Sequence, residues 1–479
     1  MTSPTIDRVS DLQAALIERL GAAAVIVNPI DQQRYCRDWH GDVTTGAVAV
    51  LRPDSTQAVA DAVRVCAALG LAIVPQGGNT GLVLGATPDD PSHQVVLSLE
   101  RMNRVRRMDP GDFSAVVEAG CILQQIQEAA EDAGMFLGLS LGAEGSCHIG
   151  GNISTNAGGI NVLRYGMARE QVLGLEVVLP DGTILDALGT LRKDNRGIDV
   201  KQLFIGAEGI LGIVTAVSLK LHPRPEQVET ALLGVSSLHD AIALYRRARR
   251  DCCDLMTAFE FMPPSAFMLA REAIPDLTLP IAMDHQGYVL MELSGSGLVD
   301  LRALMDHFLE NVMTDGLVQD GVVAASRAQA TNLWQFREAM NEGQAQRGMH
   351  LRTDVSVSLS QLAEFVKETE TRLREAFPDS LTLSYGHVGD GNVHINVLPP
   401  ATADANERDR IIHAAKDCIN TVIDEFRGSI SAEHGIGRLK RAEFEARVSE
   451  PRRQLLLAIK RAIDPEMRFN PNCQVRLAT

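Results

Sequence analysis

The stretch SLGAEGSCHIGGNISTNAGG, residues 140–159, constrains this chain more than any other, and it does not stand alone. PQGGNTGLVLG at 75–85 follows the strand-like LAIV, and IGAEGILG occupies 205–212. Runs of this kind let backbone N–H groups approach a phosphate or a flat ring with no β-carbon in the way, and Gly tolerates the positive φ that such loops need. One glycine loop is equally well explained as a surface turn; three in one segment favour a nucleotide cofactor. Neither G-x-G-x-x-G nor G-x-x-x-x-G-K-[ST] occurs, so the Rossmann fingerprint and the P-loop are both missing. The expectation is a cofactor held by several loops, FAD first.

The segment from Thr45 to about Pro223 alternates short apolar strands (GAVAVLRP, QVVLSL, AVVEAG, LGLEVVLPDG) with helical stretches such as DSTQAVADAVRVCAALG. HPRPEQ, residues 222–227, is a proline-bearing break. A length of 479 residues suggests two to three domains. The expected division is a helical N-terminal segment at 1–44, a cofactor domain at 45–223 and a substrate domain at 224–479. A net charge of −16 argues against a nucleic-acid surface, which needs a basic stripe, though it allows a local cationic pocket. Eight cysteines without regular spacing indicate neither a disulfide framework nor a thiolate zinc site and suit a reducing cytosol. The N-terminus lacks the apolar core of a signal peptide, and no run of eighteen apolar residues predicts a membrane span.

SYGHVGDGNVHINVL, residues 384–398, has the alternation of a half-buried strand around a Gly-Asp-Gly-Asn turn. A symmetric turn pairs Val388 with Val393 and sets His387 opposite His394, with Tyr385 and Asn396 as the next pair on the same face. Two imidazoles so placed can share one metal ion, or merely form hydrogen bonds. A His₂Glu set is known for open catalytic sites, and SAEHGIG offers Glu433 beside His434 in a turn. In NLWQFREAMNEGQ, Trp334, Arg337 and Asn341 share one helix face, and Arg352 opens the next alternating stretch.

Together, PQGGNTGL, GSCHIGGNISTNAGG, GAEGILGIVT, GHVGDGNVHINV, SAEHGIG and FNPN resemble the FAD-dependent D-2-hydroxyacid dehydrogenases of the vanillyl-alcohol-oxidase flavoprotein superfamily, over residues 45–476. The resemblance implies an α+β chain, with a two-subdomain FAD-binding fold of the vanillyl-alcohol-oxidase type and an α+β substrate domain covering the isoalloxazine. It implies cofactor contacts from Pro75, Gln76, Gly77, Gly78, Asn79, Thr80, Gly81 and Leu82, with the pyrophosphate on this loop. Further contacts are expected from Gly142, Gly145, Gly150, Gly151, Asn152, Thr155, Asn156, Gly158, Gly159, Glu208, Gly209, Gly212, Ile213 and Asn470. FAD is expected to be non-covalent, since the 75–85 loop carries no histidine.

The family uses the residues matching His387, His394 and Glu433 as metal ligands, commonly for zinc, and the one matching His434 as catalytic base. A borderline N/O set also accepts Mn²⁺ or Fe²⁺. Arg337, Asn341 and Arg352 stand where the family places Arg, Thr and Lys as carboxylate anchors, so this chain departs at two of the three. Tyr385 and Asn396 add polar substrate contacts. The implied reaction is hydride transfer from a small D-2-hydroxyacid to FAD, D-2-hydroxyglutarate ahead of D-lactate, D-malate or glycolate. Electron-transferring flavoprotein or a quinone is the expected acceptor, a bacterial cytoplasm the expected setting, and a homodimer is allowed for. Two readings compete: a flavin-free binding module, and a metal hydrolase, which leaves the glycine loops without a purpose.

Overall fold

The computed structural model describes residues 4–476. The chain forms two compact units: one from residues up to 159, 166–224 and 433 onward, the other from 160–165 and 225–432. Arg224 is the last residue of the first unit in this part of the chain, and Pro225 the first of the second. The segment from 433 onward, which the sequence reading kept with the substrate domain, belongs to the first unit.

The first unit has two larger sheets and a two-stranded pair, Met135–Phe136 with His222–Pro223. Thr56–Leu69 shows how its local structure arises: Ser55 caps the helix by accepting from the Ala58 N–H at 3.2 Å, and Gly70 ends it at φ 68°. Val59, Ala60, Val63 and Cys66 recur at helical spacing and are buried. Each fully buried valine side chain contributes about 1.5–3 kcal/mol. The strands Val50–Leu51, Gln94–Ser98 and Ala72–Gln76 run parallel, with Val25–Ile26 added antiparallel at one edge. The second sheet is antiparallel, in the order Val105–Asp109, Ser114–Glu118, Ile213–Lys220, Val172–Val178, Ile184–Ala187.

The last residues complete the parallel sheet. Ile73 N–H donates to the Arg468 carbonyl and Asn470 N–H to the Ile73 carbonyl, each at 2.8 Å, so the tail lies along the edge strand. It is fastened there by Lys460, whose Nζ donates to the carbonyls of Ile210 (2.6 Å) and Phe469 (2.8 Å) and to the Asp464 carboxylate (2.5 Å). Burial lowers the lysine pKa, and the charge of Asp464 opposes that shift.

The second unit contains a four-stranded antiparallel sheet in the order Met256–Met262, Gly287–Gly295, Gln227–Val235, Asp320–Val323. A three-stranded sheet follows, in the order Val355–Ser356, Asn392–Leu398, Leu381–Tyr385. The helix Arg327–Gln346 starts on Ser326, which accepts from Gln329 N–H at 3.3 Å. It packs closely on Pro264–Ala273, because a methyl at Gly343 would overlap the Leu269 carbonyl.

The hairpin differs from its sequence reading. Tyr385, not His387, pairs with His394, and Leu383, not Tyr385, pairs with Asn396. The reason is Gly386, at φ 142°, where the chain leaves its partner strand. Gly386 instead exchanges two backbone hydrogen bonds of 3.0 Å with Phe261, in the neighbouring sheet. His387 then opens a 3₁₀ turn over Val388–Asp390 and is delivered beside Glu260.

Candidate functional site

In the first unit, the strand Ala72–Gln76 feeds the glycine loop at its carboxyl end, the end at which open parallel sheets bind ligands. Gln76 anchors the loop by donating to the carbonyls of Tyr35 (2.8 Å) and Ala86 (2.9 Å). Asn79, at φ 56°, donates to the Arg37 carbonyl at 2.8 Å. The loop lies against the second glycine run, for a methyl at Gly78 would overlap the Ser146 carbonyl and crowd Cys147 and His148. Thr80 and Leu82 are half-buried, and β-carbons at Gly81, Gly142 and Gly151 would meet open space.

Two buried atoms here lack a hydrogen-bond partner among the described residues: His148 Nδ1 and Asn152 Oδ1, at the start of the helix Ile149–Thr155. Burial lowers the His148 pKa, so this imidazole is neutral at pH 7. Unpaired buried polar atoms beside a close-packed glycine loop are what a nucleotide cradle presents before its ligand is added. The residues fit FAD.

Other expected cofactor residues also hold the protein's own loops. Asn470 donates to the carbonyls of Gly85 (2.9 Å) and Glu208 (2.7 Å) and accepts from Arg438 Nη2 at 2.7 Å, which uses both of its amide N–H groups. Glu208, at φ 49°, accepts from the backbone N–H groups of Ile436 (2.8 Å) and Gly437 (2.6 Å) and from Gln474 (3.0 Å). It therefore shapes the loop that follows Glu433 and His434. Gly159 N–H donates to Glu433 Oε1 at 2.9 Å, and a methyl at Gly158 would overlap that carboxylate. Asn156 caps its helix and accepts from Arg169 N–H at 2.9 Å, while Thr155 Oγ1 donates to the Gly151 carbonyl at 3.0 Å. Gly150 N–H donates to the Ala119 carbonyl at 2.8 Å, Gly209 sits on the Pro75 ring, and Gly212 and Ile213 pack in the core. Gly145 and Gly77 flank the cradle, each with a side chain close to its β-carbon position.

In the second unit, the rings of His387 and His394 lie 6.1 Å apart, centre to centre. One ligand nitrogen from each falls within 4.8 Å of the other, near the span that one ion with ~2.1 Å bonds bridges. His394 Nδ1 faces the Thr353 carbonyl at 3.0 Å, and His387 Nδ1 faces Glu260 Oε1. A carbonyl oxygen can only accept, and a carboxylate accepts when ionised, so both imidazoles carry a proton on Nδ1, and in the neutral form each presents an Nε2 lone pair. Burial would raise the Glu260 pKa, yet the contacts of His387 and Arg337 hold it below the ordinary carboxylate range.

Arg337 Nε donates to Glu260 Oε2 at 2.8 Å, and its guanidinium lies 5.0 Å from the centre of the Tyr385 ring. Tyr385 OH donates to Asn341 Oδ1 at 3.0 Å and accepts from Asn396 Nδ2 at 3.2 Å. Asn396 also donates to Gln344 Oε1 (2.7 Å) and accepts from Thr353 N–H (3.0 Å). Arg337, Asn341, Tyr385 and Asn396 thus form one network. Arg352 is exposed, so the two guanidiniums expected to work together have unlike surroundings, and that of Arg337 is already balanced by Glu260.

D-2-hydroxyglutarate dehydrogenase of Bos taurus is 38% identical over 463 residues, which covers 97% of this chain and 83% of the relative. The chain belongs to the FAD-dependent D-2-hydroxyacid dehydrogenases. A bacterial relative, D-2-hydroxyglutarate dehydrogenase of Xanthomonas citri pv. viticola, matches this dehydrogenase at 37% identity over 98% of the chain and 97% of its own length. Residues 47–188 match the FAD binding domain family, and 224–473 the C-terminal domain of FAD linked oxidases. Among solved structures, 4-ethylphenol oxidase from Gulosibacter chungangensis (TM-score 0.75, 20% identity, 98% of this chain and 97% of that one) shares the fold. p-Cresol methylhydroxylase shares it too (TM-score 0.73, 17% identity, 99% and 98%), so the dehydrogenase has the vanillyl-alcohol-oxidase type of architecture. No helix among its described residues is long and apolar enough to cross a membrane.

Sequence reading missed three acidic or polar partners in the dehydrogenase. Glu260 sits in the apolar strand MTAFEFM, where a lone carboxylate flanked by phenylalanines was the available signal. Asp354, fully buried, accepts from Asn392 Nδ2 (3.0 Å) and Ala432 N–H (3.1 Å), and one of its oxygens lies within 4.8 Å of a His394 nitrogen. Glu292 accepts from Trp334 Nε1 and Thr230 Oγ1, both at 3.0 Å; burial raises its pKa and these bonds offset part of the rise.

Proposed function

We propose that this dehydrogenase oxidises D-2-hydroxyglutarate to 2-oxoglutarate, in preference to D-lactate, D-malate or glycolate, with a divalent metal, zinc first, held by His387, His394 and Glu433. His434 is the base that takes the hydroxyl proton. The observation that carries the metal part is the pair of Nδ1 contacts, which turns both histidines into Nε2 donors. The substrate rests on the relatives' names together with the cationic and amide groups around Tyr385. Bound FAD would supply the two-electron acceptor for the C2 hydrogen, and the ion a positive charge beside the hydroxyl and carboxylate. Arg337, Asn341, Tyr385 and Asn396 would orient the acid, and His434 would move one proton. The electrons then pass to electron-transferring flavoprotein or a quinone, and the eight free thiols suit a reducing cytosol.

The deciding experiment is a panel of D-2-hydroxyacids with an artificial acceptor, run on wild type and Arg352→Ala. Because Arg352 is exposed, a substrate carboxylate there is worth about 0.2–1 kcal/mol if it stays in water and about 2–5 kcal/mol if binding encloses the pair. We expect kcat/KM for D-2-hydroxyglutarate to fall by at most about 5-fold in the first case and by about 30-fold or more in the second, and that for D-lactate to stay unchanged. An equal loss for both acids would remove Arg352 from distal recognition.

FAD is held without a covalent bond in this proposal, since the 75–85 loop has no imidazole. Acid or heat denaturation should release all of the flavin into the supernatant. Yellow colour retained on the precipitated polypeptide would contradict this, and His148, beside Gly77, would be the first residue to test for a link.

A further inference from the structure

Within the second unit, one carboxylate joins two functional groups that the sequence keeps far apart. Glu260 Oε1 receives His387 Nδ1, and Glu260 Oε2 receives Arg337 Nε at 2.8 Å. Glu260 is 1% exposed, so it has no solvent to fall back on, and its two oxygens serve two different donors. The arrangement depends on the crossover at Gly386, which pairs with Phe261 and thereby sets His387 beside the residue before Phe261.

We infer that Glu260 is a positioning residue that fixes the tautomer and orientation of His387 for the metal and, through its other oxygen, the guanidinium of Arg337 for the substrate. The inference rests on the metal reading proposed above and deepens it. A histidine ligand that gives its other ring N–H to a carboxylate is locked in orientation and made more basic at Nε2, and loss of such a partner typically costs about 10- to 100-fold in metal affinity. The Nδ1 of His394 faces a neutral carbonyl, that of Thr353, where His387 faces a carboxylate. His387 is therefore the more strongly donating of the two. A glutamine at 260 has one acceptor oxygen where two are required, so its amide group would face either the imidazole N–H or the guanidinium N–H, donor against donor.

The test is Zn²⁺ binding by chelator competition on FAD-loaded wild type, Glu260→Gln and Glu260→Asp, with KM and kcat measured alongside. Glu260→Gln is expected to weaken Zn²⁺ at least tenfold and to raise KM, while its FAD content matches wild type; Glu260→Asp, which keeps the charge, should recover part of the affinity. A change in Zn²⁺ affinity of less than threefold in Glu260→Gln overturns the inference and leaves the metal reading standing. If wild type binds no Zn²⁺, both fall. Should Glu260→Gln fail to fold, NMR of wild type labelled with ¹⁵N-histidine decides instead, with His387→Gln assigning the signal. The inference requires the His387 proton on Nδ1 in the Zn²⁺-loaded enzyme, and a proton on Nε2 overturns it.

Discussion

Replacing His394 by alanine is expected to empty the metal site and lower kcat/KM for the D-2-hydroxyacid by about 10³-fold or more, with FAD still bound at one per chain. Positive charge beside the reacting oxygen is worth several kcal/mol, and about 4 kcal/mol is a thousandfold in rate. His394 is held by Thr353 and stacked at 5.1 Å on Tyr385, its partner across the strands, so its loss leaves one imidazole where an open site uses three protein ligands. The glycine loops belong to the other unit, which is why flavin content should not follow activity. Chelator-treated wild type should reproduce the defect and recover on adding Zn²⁺. A variant that keeps its metal, or a wild type fully active after metal removal, would sink the assignment.

The second large effect is expected at Lys460→Met. The lysine is 5% exposed and Asp464 fully buried, so the substitution strands a carboxylate and deprives the Ile210 and Phe469 carbonyls of their donor. Breaking a buried pair from one side costs about 3–5 kcal/mol, whereas replacing both partners by apolar groups costs far less. Asp464 also accepts from Phe469 N–H at 2.8 Å, so the tail that lines Ile73 should loosen with it. Thermal melts followed by flavin release should show a lower midpoint in Lys460→Met than in the double variant Lys460→Met/Asp464→Leu. Equal midpoints for Lys460→Met and wild type would show that the tail is held by other contacts.

What could be read from the sequence was chemistry carried by residue type at short range. The glycine loops declared themselves because only glycine permits the approach at Gly78, and the histidines because two of the chain's twelve flank one Gly-Asp-Gly-Asn turn. Long-range geometry was hidden. A symmetric hairpin was the natural reading of GDGN, and nothing local shows that Gly386 pairs with Phe261 in another sheet. Glu260 looked like an ordinary strand residue because its partners, Arg337 and His387, lie 77 and 127 positions away. The amide nitrogens of Gln76, Asn79 and Asn470 also donate to backbone carbonyls, a scaffolding role that their place in the motifs does not reveal.

The return of residues 433–476 to the first unit has a consequence for synthesis. A ribosome making ~5–20 residues per second needs roughly 10–40 s to traverse the inserted second unit, Pro225–Ala432. During that interval the edge strand Ala72–Gln76 has emerged but its neighbour, the Arg468–Asn470 segment, has not been made. An unpaired apolar edge invites pairing with another chain. Nascent chains of this enzyme should therefore depend on chaperones in proportion to translation time, and slower codons within 225–432 should lower the soluble yield without any change in the finished protein.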